Sequence, residues 1–145
     1  MYLVDINILL HAAFASAEWH HEARLWLDRK LAGRMSTVGL PWHSLLGFVR
    51  IASGSRFIDP PVPVDSAWQQ LEDWLEAPAA WIPVPGRGHR HIIGQLIDGA
   101  KPTSKMIADL HLAALAVENG LTVASTDADF GRLPGVRWVN PLHAG

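Results

Sequence analysis

Short apolar runs alternate with longer segments of helical periodicity along the chain. The apolar runs predict strands at residues 2–4, 35–38, 80–84, 121–125 and 136–139. The helical segments between them lie at residues 6–13, 17–32, 41–51, 65–77, 89–98 and 104–119. Because strands that alternate with helices form parallel sheets wrapped by helices, this pattern predicts an α/β fold.

Glycine and proline support several of these boundaries. Gly33 suits the end of a helix, and Pro41 suits the first turn of the next one. Pro83 lacks a backbone N–H group, so the run at 80–84 is expected at an edge of the sheet. Residues 52–63 are rich in proline and glycine and are expected to form a loop.

Composition bounds the kind of protein. A chain of 145 residues, 49% hydrophobic and 18% charged, fits a single globular domain spanning residues 1–145. The net charge is −2 and the pI is about 6.4. A nucleic-acid-binding surface would therefore depend on a local basic patch or on cations bound to carboxylates.

The chain has no cysteine, which excludes disulfides, thiolate metal sites and a cysteine nucleophile and fits a reducing cytoplasm. No apolar run reaches the roughly 18 residues that a membrane span needs. A cleaved signal peptide is disfavoured because Asp5, Asn7 and His11 interrupt the apolar start of the chain.

Three aspartates occupy positions that suit a metal site. Asp5 and Asp127 follow predicted strands, and ligands of parallel sheets bind at the carboxyl ends of strands. Asp109 lies in a helix that is apolar nearly all round, where a carboxylate is costly unless it is paired or binds a cation. Converging carboxylates repel unless a cation joins them, and Mg²⁺ and Mn²⁺ prefer such oxygen ligands.

Each acid also has an ordinary structural interpretation. Asp5 could be only a helix N-cap, and Asp109 could pair with Lys105, which lies four residues earlier. Asp127 and Asp129 could be turn or cap residues. The metal-site interpretation depends on the placement of the acids together.

Three motifs resemble those of PIN domains. Leu3 to Leu10 resembles their opening, in which a strand ends in Asp and an Asn, here Asn7, follows two residues later. Residues 107–116 resemble the central acidic helix, and residues 125–130 resemble the last acidic motif. The segments 40–50 and 137–142 resemble an actinobacterial branch of the VapC toxins. The order and spacing of the motifs match over essentially the whole chain.

This resemblance implies a three-layer α/β/α fold with a central parallel sheet of four to five strands. It implies an endoribonuclease that depends on Mg²⁺ or Mn²⁺ and is directed at tRNA or ribosomal RNA. Asp5, Asp109 and Asp127 would be the catalytic metal ligands, with Asp129 as a further ligand. It also implies a homodimer and a cognate VapB-type antitoxin that inserts into the active-site groove.

One position departs from the family pattern. PIN domains usually carry a Glu in the helix after the second strand, and the alignment puts Gly47 there. Residues 35–57 contain no acid at all. The metal site is therefore expected to be weaker but active, with a loss of activity as the alternative, and Asp129 could partly compensate.

Other residues have candidate supporting roles. Asn7 could orient a ligating Asp or a water molecule, or it could only bond the start of a helix. Candidate phosphate contacts are Arg87, Arg90, Lys101 and Lys105, although a solvated surface is the commoner role for such charges. Among the tryptophans, Trp19 and Trp42 are candidates for an antitoxin interface, whereas Trp26, Trp68 and Trp74 suit the core or a dimer surface.

Three other functions compete with this interpretation. A zinc site is disfavoured because the histidines at 20–21 and 89–91 lack ligands at helical spacing. A phosphoryl-accepting domain would need a second acid near Asp5, where Asn7 stands. An inactive PIN-like module that binds RNA or antitoxin is supported by Gly47 and remains the main alternative to an enzyme.

Overall fold

A parallel sheet of five strands forms the centre of the molecule in the computed structural model, which describes residues 1–142. The strands are β1 (Tyr2–Val4), β2 (Val38–Gly39), β3 (Ala80–Trp81), β4 (Thr122–Ala124) and β5 (Trp138–Val139). Their order is β3-β2-β1-β4-β5, and every neighbouring pair is parallel. The central strand β1 therefore ends beside β4, its neighbour from the other end of the chain.

Within residues 1–142, six helices cover the two faces of this sheet. They are α1 (Ile6–Ala13), α2 (His20–Leu31), α3 (Trp42–Ala52), α4 (Val64–Leu75), α5 (His89–Ala100) and α6 (Ile107–Asn119). Short 3₁₀ helices occupy Ser104–Met106 and Ala128–Arg132.

The hydrophobic core is divided into two clusters by the sheet. Val4 belongs to the cluster formed with α1 to α4, whereas the adjacent Leu3 belongs to the cluster formed with α5 and α6. Successive residues of a strand point to opposite faces, so one strand supplies both clusters. The predicted three-layer α/β/α architecture with a parallel sheet is confirmed.

Two predicted boundaries were wrong. Helix α2 begins at His20 and not at Ala17. The N–H groups of Ala17 and His20 donate to the carbonyl oxygens three residues earlier, in turns that precede the helix. Strand β2 begins at Val38 and not at Met35, because Ser36 has a φ of 57° and Met35 is exposed. A left-handed residue cannot continue an extended strand.

The other helices and strands agree closely with those predicted from the sequence. The strand at 80–84 lies at the sheet edge, as Pro83 predicts, although only Ala80–Trp81 pairs with β2. No helix among residues 1–142 is long and apolar enough to cross a membrane. The predicted extent of the domain, 1–145, stays a prediction, and residues 143–145 lie outside the described part of the chain.

Candidate active site

Asp5 lies at the carboxyl end of β1 with only 7% of its surface exposed. Its Oδ1 accepts a hydrogen bond from the N–H of Ile6 at 2.8 Å, which confirms the N-cap interpretation. Its Oδ2 accepts bonds from Ser125 Oγ at 2.7 Å and from Asn7 Nδ2 at 3.3 Å. The carboxylate is therefore held in one orientation from both sides.

Ser125 and Asn7 join the ends of β1 and β4. Asn7 donates to Ser125 Oγ at 3.2 Å and accepts from the N–H of Thr126, also at 3.2 Å. The N–H of Asp127 donates to Ser125 Oγ at 3.0 Å. Ser125 is fully buried. It was missed as a site residue from the sequence, although its place directly after an apolar strand and two residues before Asp127 was a usable signal.

The carboxylates of Asp109, Asp127 and Asp129 meet beside this network. One oxygen from each lies within 4.8 Å of the others, and all three side chains are half-buried. Among residues 1–142 they form the only group of three or more metal-ligating side chains this close together. Asp127 Oδ1 also accepts the N–H of Asp129 at 2.9 Å, which fixes the two acids relative to each other.

Electrostatic coupling links Asp5 to these three acids. Burial, followed by the charges of Asp127, Asp5 and Asp129, raises the pKa of Asp109 to about 7. Burial also raises the pKa of Asp5, with Asp127 adding to the rise. Hydrogen bonds from Ser125 and Ile6 and the nearby His43 oppose that shift. The four aspartates offer oxygen ligands, and their negative charges repel one another. A divalent cation such as Mg²⁺ or Mn²⁺ would relieve that repulsion, so the site suits such an ion.

Lys105 and Asp109 do not form the ion pair that their spacing allowed; it is absent from the ion pairs of residues 1–142. Lys105 lies in the 3₁₀ helix Ser104–Met106, before α6 begins. Residues four apart across that junction do not share one α-helical face, so the spacing argument does not apply.

Gly47 does not face the acids. It is buried on α3, and a Cβ atom there would fall on Ile6 Cδ1 and come within 2.9 Å of Ile6 Cγ1. The α3 side chain that acts electrostatically on Asp5 is His43, in the first turn of the helix. The charge that α3 brings to bear on Asp5 is therefore that of an imidazole and not of a carboxylate.

The candidate phosphate contacts separate into two groups. Arg87 and Arg90 line an open depression of about 540 Å³ on the exposed side of α5. Lys101 and Lys105 follow α5 in the chain and are exposed, and neither lines that depression. The structure therefore brings together the two arginines and leaves the two lysines apart from them.

Three further polar residues lie half-buried near the site and were not predicted. His89 contacts both Glu118 and His111 through its two ring nitrogens. The His111 ring lies 6.1 Å from that of His43. Burial lowers the pKa of His111, and the neighbouring His89 and His43 lower it further, against the opposing effect of Glu118.

Comparisons with known proteins place the chain in a family. Residues 2–136 match the model of the PIN domain, and the chain belongs to that family. It is 40% identical to Ribonuclease VapC37 of Mycobacterium tuberculosis, over 97% of both chains. It is 38% identical to Ribonuclease VapC43 of the same species, over 98% of this chain and 96% of the relative. The predicted membership among VapC-type PIN-domain ribonucleases is confirmed.

A solved structure shows the same fold. The crystal structure of VapBC2 from Rickettsia felis, bound to a DNA fragment from their promoter, matches with a TM-score of 0.70 and 15% identity. The match covers 96% of this chain and 97% of the other. The likeness supports the architecture, while the family is shown by the sequence relatives.

Proposed function

We propose that the protein is a metal-dependent endoribonuclease toxin whose active site is formed by Asp5, Asp109, Asp127 and Asp129. The observation that carries the proposal is the group of three carboxylates within 4.8 Å, next to the buried Asp5 at the carboxyl edge of the sheet. This edge is where parallel sheets bind ligands. Relatives that are 38–40% identical are named ribonucleases.

The residues have separate roles in this proposal. Asp109, Asp127 and Asp129 would hold the cation, and Asp5 would complete the site from β1. When bound, Mg²⁺ or Mn²⁺ supplies an activated water and stabilises negative charge on the phosphate. Ser125 and Asn7 hold Asp5 in place through the hydrogen bonds at its Oδ2. An all-oxygen donor set favours hard cations, which supports Mg²⁺ as the ion used.

The reaction proposed is hydrolysis of an RNA phosphodiester. The oxygen of a water molecule forms a bond to phosphorus, the bond to the 3′ oxygen breaks, and that oxygen takes up a proton. The products carry a 5′-phosphate and a 3′-hydroxyl. Arg87 and Arg90 would contact RNA phosphates, and Lys101 and Lys105 would add positive charge elsewhere on the surface. The substrate class proposed is tRNA or ribosomal RNA, in the cytoplasm.

A cognate VapB-type antitoxin and a second copy of the chain are the proposed partners. Trp42 and Leu46 lie one turn apart on α3 and have 43% and 53% of their surfaces exposed. Exposed aromatic and aliphatic side chains at helical spacing are suited to a protein interface. The solved relative, VapBC2 of Rickettsia felis, is a complex on promoter DNA, which supports a toxin–antitoxin pair.

The test is cleavage of total cellular RNA by the purified, antitoxin-free protein with Mg²⁺ or Mn²⁺. The wild type is compared with Asp127→Asn and with Asp28→Asn, which removes an exposed acid on α2. We expect discrete fragments from the wild type and the control, and none with EDTA or Asp127→Asn. Folded wild-type protein that cleaves nothing with either metal would reject the proposal.

Gly47 supports a second candidate, an inactive binding module with the same fold. This candidate predicts binding of RNA or antitoxin without cleavage and no binding of Mn²⁺ at the acids. Calorimetric titration with Mn²⁺ separates the two candidates, because only the enzyme needs the cation.

A further inference from the structure

Ser125 lies one residue beyond β4, and β5 holds its backbone on both sides. Its N–H donates to the carbonyl oxygen of Val139 at 3.1 Å, and its own carbonyl oxygen accepts from the indole Nε1–H of Trp138 at 3.0 Å. Its hydroxyl donates to Asp5 at 2.7 Å. Because Ser125 is fully buried, each of these polar groups needs a partner from the protein. Trp138 is the partner of the carbonyl.

A proline explains why a side chain supplies this donor. The register places Val139 opposite the residue before Ser125, so one further step puts Asn140 opposite Ser125. In a parallel ladder, the N–H and C=O of a residue bond to the residues before and after the one opposite it. The N–H of Ser125 follows this rule, but the donor for its carbonyl would be Pro141, which has no N–H. Trp138 supplies the missing donor, and because an indole N–H only donates, the direction of this bond is fixed.

The opposite edge of the same ring packs on the 3₁₀ helix that follows Asp127. A Cβ atom at Gly131 would lie only 3.2 Å from Cε3 and 3.3 Å from Cζ3 of Trp138. Asp129 lies within this helix, and Asp127 caps its start by accepting the N–H of Asp129. One rigid ring therefore spans from the end of β4 to the helix that carries two of the acids.

We propose that Trp138 is a positioning residue of the active site, which sets the place of the acidic segment 125–131 relative to Asp5. This inference rests on the metal-dependent function proposed above. The three carboxylates that would hold the cation lie within 4.8 Å of one another, so a small shift of the segment changes the distances between them. Residues that orient metal ligands from behind commonly affect metal affinity.

The first test removes the donor and keeps an aromatic ring, in Trp138→Phe. We expect the Mn²⁺ affinity, measured by calorimetry, to fall about fivefold, the effect of one hydrogen bond. The matched control is Trp74→Phe, which removes an indole that is 7% exposed in the hydrophobic cluster on the other face of the sheet. Its Mn²⁺ affinity should equal that of the wild type. A purely structural role would lower stability in urea unfolding and leave the Mn²⁺ affinity of Trp138→Phe unchanged, which would overturn the inference.

The second test reaches the ring from its other edge and keeps the indole. In Gly131→Ala the added methyl group should displace the Trp138 ring and lower the Mn²⁺ affinity. Gly94→Ala is the control, because a Cβ atom there has nothing within 4 Å. This pair decides the inference even if Trp138→Phe does not fold. Equal Mn²⁺ affinities in the two alanine variants would show that the ring does not position the acids.

The third test restores the backbone donor. Pro141→Ala supplies the N–H that the ladder lacks, so the double variant Trp138→Phe/Pro141→Ala should recover most of the lost Mn²⁺ affinity. Pro141→Ala alone should change little, because the Trp138 indole already serves the Ser125 carbonyl. A double variant that binds Mn²⁺ no better than Trp138→Phe would contradict the role of the indole as a substitute donor.

A measurement without metal separates this inference from the proposed function. In EDTA, the backbone amide NMR signals of Asp127 and Asp129 should move in Trp138→Phe and stay in place in Trp74→Phe. Moved signals in a protein that neither binds Mn²⁺ nor cleaves RNA would reject the proposed function and leave the positioning of the acids supported. RNA cleavage by the wild type, with unmoved signals in Trp138→Phe, would reject only the role of Trp138.

Discussion

Ser125 donates a 2.7 Å hydrogen bond from its hydroxyl to Oδ2 of Asp5, across 120 positions of sequence. The same hydroxyl oxygen accepts from Asn7 and from the N–H of Asp127. One buried serine therefore sets the relative position of two acids that come from opposite ends of the chain.

Ser125→Ala should both destabilise the fold and weaken cation binding at the acids. We expect a loss of about 1–3 kcal/mol of stability, because Asp5 Oδ2 and the N–H of Asp127 lose a buried partner. Mn²⁺ affinity should also fall, since Asp5 is less well held. Urea unfolding and calorimetry measure the two effects. The exposed serine variant Ser66→Ala on α4 is the control, and equal effects in both variants would contradict the role of Ser125.

Asp109→Asn should stabilise the metal-free protein above neutral pH. The folded state holds the pKa of Asp109 at about 7, above its ordinary value of 3.8, so the folded state binds more protons between those values. Wild-type stability is therefore lost as the pH rises through this window. Asparagine cannot ionise, so the variant does not lose stability as the pH rises through this window.

The stability gained by Asp109→Asn should be larger near pH 8 than near pH 5. The difference should be on the order of 1 kcal/mol after solvent screening is allowed for. Urea unfolding in EDTA at both pH values measures it. Asp28→Asn controls for the removal of one negative charge at the surface. The same gain at both pH values would show that Asp109 does not titrate in this range.

Cation binding should depend on the same proton. A cation bound by Asp109, Asp127 and Asp129 needs the ionised carboxylates, so it displaces the proton of Asp109. With a pKa of about 7, the apparent Mn²⁺ affinity should be about tenfold lower near pH 6 than near pH 8. Calorimetry in two buffers of different ionisation enthalpy measures the affinity and the proton released. A pH-independent affinity with no proton release would exclude Asp109 as a ligand.

The sequence pattern was sufficient to place β1 and β4 and the acids that follow them. Asp5 and Asp127 were expected to meet because carboxyl ends of parallel strands share one edge, and the structure shows β1 and β4 as neighbours. This inference needed only the apolar runs and the residue after each run. It did not need the register of the sheet.

The supporting residues could not be predicted in the same way. The contact between Ser125 and Asp5 depends on the register of β1 against β4, and the contact between His89 and Glu118 depends on how α5 packs on α6. Sequence spacing within one element carries no information about either. The Lys105–Asp109 alternative failed for a related reason, since a 3₁₀ turn interrupts the helical spacing.

Gly47 was expected to mark a missing carboxylate, and its surroundings show what an added side chain there would meet. A Cβ atom at this position falls on the Ile6 side chain, which packs between α1 and α3. Gly47→Glu should therefore destabilise the fold without strengthening Mn²⁺ binding. His43→Glu, one turn earlier and electrostatically coupled to Asp5, should strengthen it.

Gly47→Ala tests the packing at this position by itself. Alanine gains roughly 1 kcal/mol over glycine inside a helix, but the crowding against Ile6 should cost about 1–3 kcal/mol, so the net change should be destabilising. Gly94→Ala on α5 is a matched control, because a Cβ atom there has nothing within 4 Å. It should stabilise the protein by up to about 1 kcal/mol. Urea unfolding of both variants measures the difference, and a stabilised Gly47→Ala would mean that Ile6 moves aside and that position 47 can accept a side chain.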